Sequence, residues 1–227
     1  MAVDKIIQKM ADGLQKSSAS TAPAATETIE RASAILGTLR GIQAPIVKQA
    51  TEEQRNGAWL KEKIAKAYAD KYREIARLRH QNDQTRKKLE DSKPKLPEFD
   101  RTDVFAAMQT MEIAKRVAAI TDPIKRAALS SMEKMAALRM PEIAGLAPSQ
   151  ADAWRNELLK QTEPAAMQAH EESAKALADV DAALAMVRMS FMSEAGFMNR
   201  DTGFPTPQWQ QYEREQMKAL ESEFEAA

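Results

Sequence analysis

The chain has 227 residues, with 33 basic and 33 acidic side chains, so its formal net charge is zero. It contains no cysteine, which excludes a disulfide, a thiolate nucleophile and any Cys-ligated zinc or iron–sulfur site. Alanine supplies 41 residues, whereas Val, Ile, Leu and Phe together supply 39. So few large apolar residues make a thin core, and zero net charge argues against a disordered chain.

Alanine is the best helix former, so the composition predicts an all-α protein of six to eight helices, two of them long. Burial contributes about 25 cal/mol per Å² of apolar surface, and a methyl group offers little area. The chain is therefore expected to be extended in part, or to complete its core against another copy or a partner.

In chain order, residues 3–16 read as a short helix with Val3, Ile7, Met10 and Leu14 on one face. Residues 17–25 are small and polar and read as a linker. A helix from Thr26 to Ile42 turns Ile29, Ala32, Ile35, Leu36 and Leu39 inward, and Gly41 and Pro45 mark its end. From Pro45 to Asp91 the sequence predicts one long helix, bent at Asn56-Gly57. From Ile64 its seam (Tyr68, Lys71, Ile75, Leu78, Asn82, Thr85, Leu89) alternates steps of four and three, as a weak or antiparallel coiled coil does.

Pro94 and Pro97 break the helix in 92–100. Helices are then expected from Thr102 to Ile120, and from a cap at Thr121 or Asp122 to Arg139, the latter with Ile124, Ala128, Ser131, Met135 and Leu138 on one side. Pro141 opens a short turn or helix ending near Gly145, and another helix starts at Ser149. The clearest periodicity runs from Glu163 to Met198. His170, Ser173, Leu177, Val180, Leu184, Val187, Phe191, Glu194 and Met198 follow one another in steps of three and four, a two-helix packing seam. After a turn over 199–207, Thr206 caps a last helix with Trp209, Tyr212, Gln216, Leu220 and Phe224 on one face. The expected division is an extended helical region over 1–92, a Pro-containing linker over 93–100 and a helical bundle over 101–227.

Catalytic signatures are lacking. A carboxylate-bridged di-iron bundle needs paired Glu-x-x-His motifs, but Arg77 precedes His80 by three and Met167 precedes His170 by three. The seven glycines (13, 37, 41, 57, 145, 196, 203) form no Gly-x-Gly and none precedes Lys-Ser/Thr, so neither a P-loop nor a dinucleotide fingerprint is present. No Gly-x-Ser-x-Gly elbow occurs. The expectation is a non-enzymatic protein with no catalytic residue, cofactor or metal. Trp59, Trp154 and Trp209 sit on separate helices and read as packing anchors, and the methionines of the second half read as core filler.

Charge is split along the chain. Residues 61–95 carry 12 Lys/Arg against 6 Asp/Glu, whereas residues 141–227 carry 7 against 15. Opposite patches of this kind fix register and partner choice. The favoured function is a structural or assembly protein whose interface is the seam Leu177, Val180, Leu184, Val187 and Phe191, packed against copies of itself or a larger complex. The alternative is a nucleic-acid-associated protein contacting phosphates, or an acidic partner, through Lys66, Arg73, Arg77, Arg86 and Lys87. The start of the chain lacks the apolar core of a signal peptide and no stretch approaches a membrane span, so a place in the cytoplasm or within a macromolecular assembly is expected. In texture (Ala- and Met-rich, cysteine-free, long helices joined by Pro-containing linkers) the chain is similar to many bacteriophage virion and secretion-apparatus components.

Overall fold

The computed structural model describes residues 2–17, 19–98, 102–199 and 202–225, with side chains described up to 220. Among them it is all-α, with ten helical segments: α1 (Ala2–Leu14), α2 (Ala22–Leu39), α3 (Gln43–Glu52), α4 (Gly57–Asp91), α5 (Val104–Ala118), α6 (Pro123–Ala127), α7 (Ser131–Arg139), α8 (Pro148–Thr162), α9 (Pro164–Glu194) and α10 (Pro207–Glu225). The chain divides into two compact units: residues 1–91 with 171–227, and residues 92–170.

Unit 1 is built on the seams that the sequence displays. Ile7 and Leu14 of α1 are buried, as are Ile29, Ala32, Ile35, Leu36 and Leu39 of α2. The buried face of α4 carries Tyr68, Tyr72, Ile75, Ala76, Leu78 and Asn82, close to the expected heptad stripe with Tyr72 and Ala76 added to it. Apart from Asn82, these residues share one cluster with Val180, Leu184, Val187 and Phe191 of α9 and with Trp209 and Leu220 of α10. Each fully buried Leu, Ile or Phe contributes about 1.5–3 kcal/mol. Between α9 and α10 the chain forms a small hairpin, with Met198 bridging Pro205 and Gly203 at φ +69°, a conformation that glycine adopts freely.

Unit 2 is held by a smaller cluster: Ala114 and Val117 of α5, Ala137 of α7, Ala144 of the following turn and Trp154 of α8. α7 packs against both α5 and α8. The Lys134 side chain, only 6% exposed, donates to Glu157 Oε1 at 2.6 Å and so ties α7 to α8.

Four expectations differ from what is found. The long helix over 45–91 is two helices. Gln54 takes a left-handed backbone (φ 52°) after α3, and Asn56 Oδ1 then accepts from Trp59 N to open α4. The helix over 122–139 is also two. Ser130 and Glu133 form a reciprocal capping box that starts α7 afresh, leaving Ile124, Ala128 and Ser131 exposed. α2 begins at Ala22 rather than Thr26, with Pro23 in its first turn. The division of the chain differs as well: 1–92 is not an extended arm, because α1, α2 and α4 bury their apolar faces in one cluster with 176–220, and the bundle expected over 101–227 is cut at 170. Tertiary contact decides this grouping, since an apolar stripe shows that a helix packs but not which helix it meets. Phe224, expected on the inner face of α10, lies outside the described side chains.

Candidate functional site

The α9 seam is where sequence and structure can first be compared residue by residue. Leu177, Val180, Leu184, Val187 and Phe191 are all buried. Four of them share a cluster with helices of this same chain. The face expected to receive a second copy is therefore filled internally. A polar clamp sets the register of α4 on α9: buried Asn82 donates through Nδ2 to Asp181 Oδ1 at 2.6 Å and to the Leu177 carbonyl at 3.3 Å, and Arg86 pairs with the other Asp181 oxygen.

At the other end of that helix pair an aromatic knot forms. Tyr72 meets Phe191, Trp209 and Tyr212 at ring-centroid distances of 5.4–5.7 Å, and such pairs add about 0.5–1.5 kcal/mol each beyond burial. Glu213 Oε1 accepts from the Tyr72 hydroxyl at 2.7 Å, and the Arg188 guanidinium holds both Glu213 oxygens at 2.7 and 2.8 Å. Arg188 also lies 5.1 Å from the Trp209 ring centroid. Burial, and then the Glu213 carboxylate, push the Tyr72 hydroxyl well above its ordinary range, and burial pushes Tyr212 up to about 12. This constellation joins three helices and belongs to the packing of α10.

A cleft of about 810 Å³ is lined by Arg40, Gln43, Tyr68, Glu194 and Asn199 among others. Three of its polar side chains are already engaged. Arg40 donates to Asp4 at 2.8 Å, holding that carboxyl below the usual range, Gln43 donates to the Tyr68 hydroxyl at 3.3 Å, and Tyr68 donates to the Glu194 carbonyl at 3.2 Å. Among the described residues no group of three or more His, Asp or Glu side chains could hold a metal ion, and no helix is long and apolar enough to cross a membrane.

The five basic candidates of α4 do not act as one set. At about 100° per residue, Lys66, Arg73 and Arg77 fall on the side opposite the buried face and Lys87 on its flank, while Arg86 falls toward it and is tied to Asp181. Asp70 shares the outward side and lies 3.7 Å from Arg73. Trp59 lies on the same stripe, with Arg55 and Lys63 each 5.6 Å from its ring centroid. Trp154 and Trp209 are buried anchors as expected, whereas Trp59 is only half-buried.

Unit 2 presents what the sequence reading missed. Val104, Phe105 and Met108 of α5 are 69, 72 and 58% exposed, and they lie opposite the buried Thr110, Ala114 and Val117. Ile124 of α6 is 80% exposed. α6 itself buries no residue, although Arg126 donates to the Ala144 carbonyl at 2.8 Å and to Gln150 Oε1 at 3.3 Å. Met132, at the start of α7, is also exposed. The signal was present: Val104-Phe105-Ala106-Ala107-Met108 is apolar on every side of one helical turn, wider than a single packing stripe needs. Comparisons with protein-family models, curated proteins and solved structures find no match to this chain.

Proposed function

We propose that this chain is a non-enzymatic helical assembly protein that packs against copies of itself or within a larger complex. The reading rests on one observation: six large apolar side chains (Val104, Phe105, Met108, Ile124, Met132 and Ile143) stand exposed in the unit with the smaller buried cluster. Three of them, Val104, Phe105 and Met108, share the first turns of one helix, and apolar surface gathered in that way marks interaction sites. Unit 1 presents five on separate elements, as ordinary soluble surfaces do. The thin-core expectation thus attaches to residues 92–170 and not to the α9 seam. Molar mass in solution at two salt concentrations tests the reading. A multimer of unchanged size is expected, because the exposed side chains are apolar; a 25.2 kDa species at both concentrations overturns self-assembly.

A second reading keeps one specific observation. Lys63, Lys66, Arg73, Arg77 and Lys88 share the outward stripe of α4 with half-buried Trp59, and a cationic track headed by an aromatic ring suits single-stranded nucleic acid. It requires affinity for DNA that falls steeply with salt and Trp59 fluorescence that is quenched on binding. Affinity unchanged by Lys66→Glu with Arg77→Glu rules the stripe out.

A further inference from the structure

We propose that α10 is a releasable strap: it lifts from α4 and α9 as a unit of its own, uncovering Tyr72 and Phe191, while the rest of unit 1 stays folded. This does not depend on the assembly reading.

The inner stripe of α10 is poorly matched to the surface it covers. Trp209 Nε1, the Tyr212 hydroxyl and Gln216 Oε1 follow one another along that stripe, and each is buried without a hydrogen-bond partner among the described residues. No other helix of unit 1 buries more than one such atom among those residues. Docked, these atoms have given up water and gained no partner in exchange; released, each recovers its hydrogen bonds. α1, by contrast, buries Ile7, Ala11 and Leu14 and carries no such penalty.

The ionic hold on α10 stands at the edge of the contact. Glu213 accepts from the Tyr72 hydroxyl and pairs with Arg188, but the Glu213 and Arg188 side chains are 25 and 30% exposed, so water and salt compete for them. The chain leaves α9 at Gly196, whose φ of +80° turns it with no side chain to anchor the turn. Elements with few well-satisfied buried contacts open below the global limit. Opening takes Trp209 and Tyr212 away from Tyr72 and Phe191, which they meet at ring-centroid distances of 5.5–6.0 Å.

Hydrogen exchange of the full chain, followed by mass spectrometry in dilute urea, tests the strap. Relative to their intrinsic rates, amides of α10 up to Leu220 are expected to exchange at least about tenfold faster than those of α4 and of α9 beyond Leu177. Their exchange should respond weakly to urea, because a local opening exposes little surface. Tyr212→Phe with Gln216→Met removes two of the unmatched atoms at nearly constant volume. It is expected to slow exchange in α10 several-fold and to leave α4 and α9 unchanged, whereas Glu213→Ala should speed exchange in α10 alone. Equal protection of α10 and α9 in the wild type overturns the proposal. So does a double variant whose α10 exchanges as fast as the wild type's, because the unmatched atoms are then not what loosens it.

Discussion

Residues 1–91 with 171–227 and residues 92–170 solve the same problem unequally. The first unit is about twice as long, yet among the described residues its principal cluster gathers 23 buried side chains against 5 in the second. Six of the 23 are alanine; three of the 5 are. The first unit closes its core with a knot of tyrosine, phenylalanine and tryptophan, which bury large areas and interlock edge to face. The second has one large buried ring in its cluster, Trp154, and relies on polar ties: Lys134 to Glu157, Arg126 to the Ala144 carbonyl, and Ser130 with Glu133. Alanine therefore does not by itself leave this chain incomplete. It fails to fill a core only where aromatic and branched residues do not accompany it.

The sharpest way to break this contrast is to damage each core. Leu184→Asp places a charge in the fully buried seam of unit 1 and is expected to abolish its folding, read as loss of cooperative urea unfolding. Trp154→Ala should cost unit 2 about 3–5 kcal/mol, enough to melt it while the tyrosine environment of unit 1, followed by near-ultraviolet circular dichroism, persists. If both units melt together, they are not separable in stability. Removing Glu213 leaves the Arg188 and Tyr72 partners unmatched; Glu213→Ala should cost about 2 kcal/mol in denaturant unfolding, and no measurable loss would show that packing alone holds α10.

The three tyrosines all belong to unit 1, and all three hydroxyls are raised, Tyr212 to about 12. Because the folded values exceed the unfolded value near 10, the stability they contribute is complete below pH 10 and is lost as pH rises toward and beyond 12. Tyrosinate absorbance should therefore stay low through pH 10 in the folded chain; a rise near 10 contradicts their burial. Unit 2 has no tyrosine and no such alkaline limit. The smallest effect is expected at its cap: Ser130→Ala should cost about 1 kcal/mol, seen as a lower melting temperature of unit 2 alone.

Much of the architecture was legible before the fold was known. The spacing marks Ile7, Ile29, Ile35, Leu36, Leu39, Tyr68, Ile75, Leu78, Val180, Leu184, Val187 and Phe191 as facing a packed side, and each is buried. Periodicity reports them because a helix can hide only one side, and the repeat of its apolar residues shows which side that is. The Ser130–Glu133 capping box and the doubly apolar turn 104–108 were equally visible but were overridden by the longer pattern around them.

The sequence by itself determined an all-α chain, the inward side of the helices that build unit 1, the end of the long helix before Pro94 and the separation of basic from acidic stretches, because these follow from propensity, spacing and charge along a single strand of residues. Only the tertiary structure decided that the α9 seam meets α4 and α10 of its own chain, that Arg86 faces Asp181, that Glu213 finds Tyr72 and Arg188, and that Val104, Phe105, Met108 and Ile124 stay uncovered. Pairing between distant helices depends on which complementary surfaces reach one another in three dimensions, and no local repeat encodes that choice.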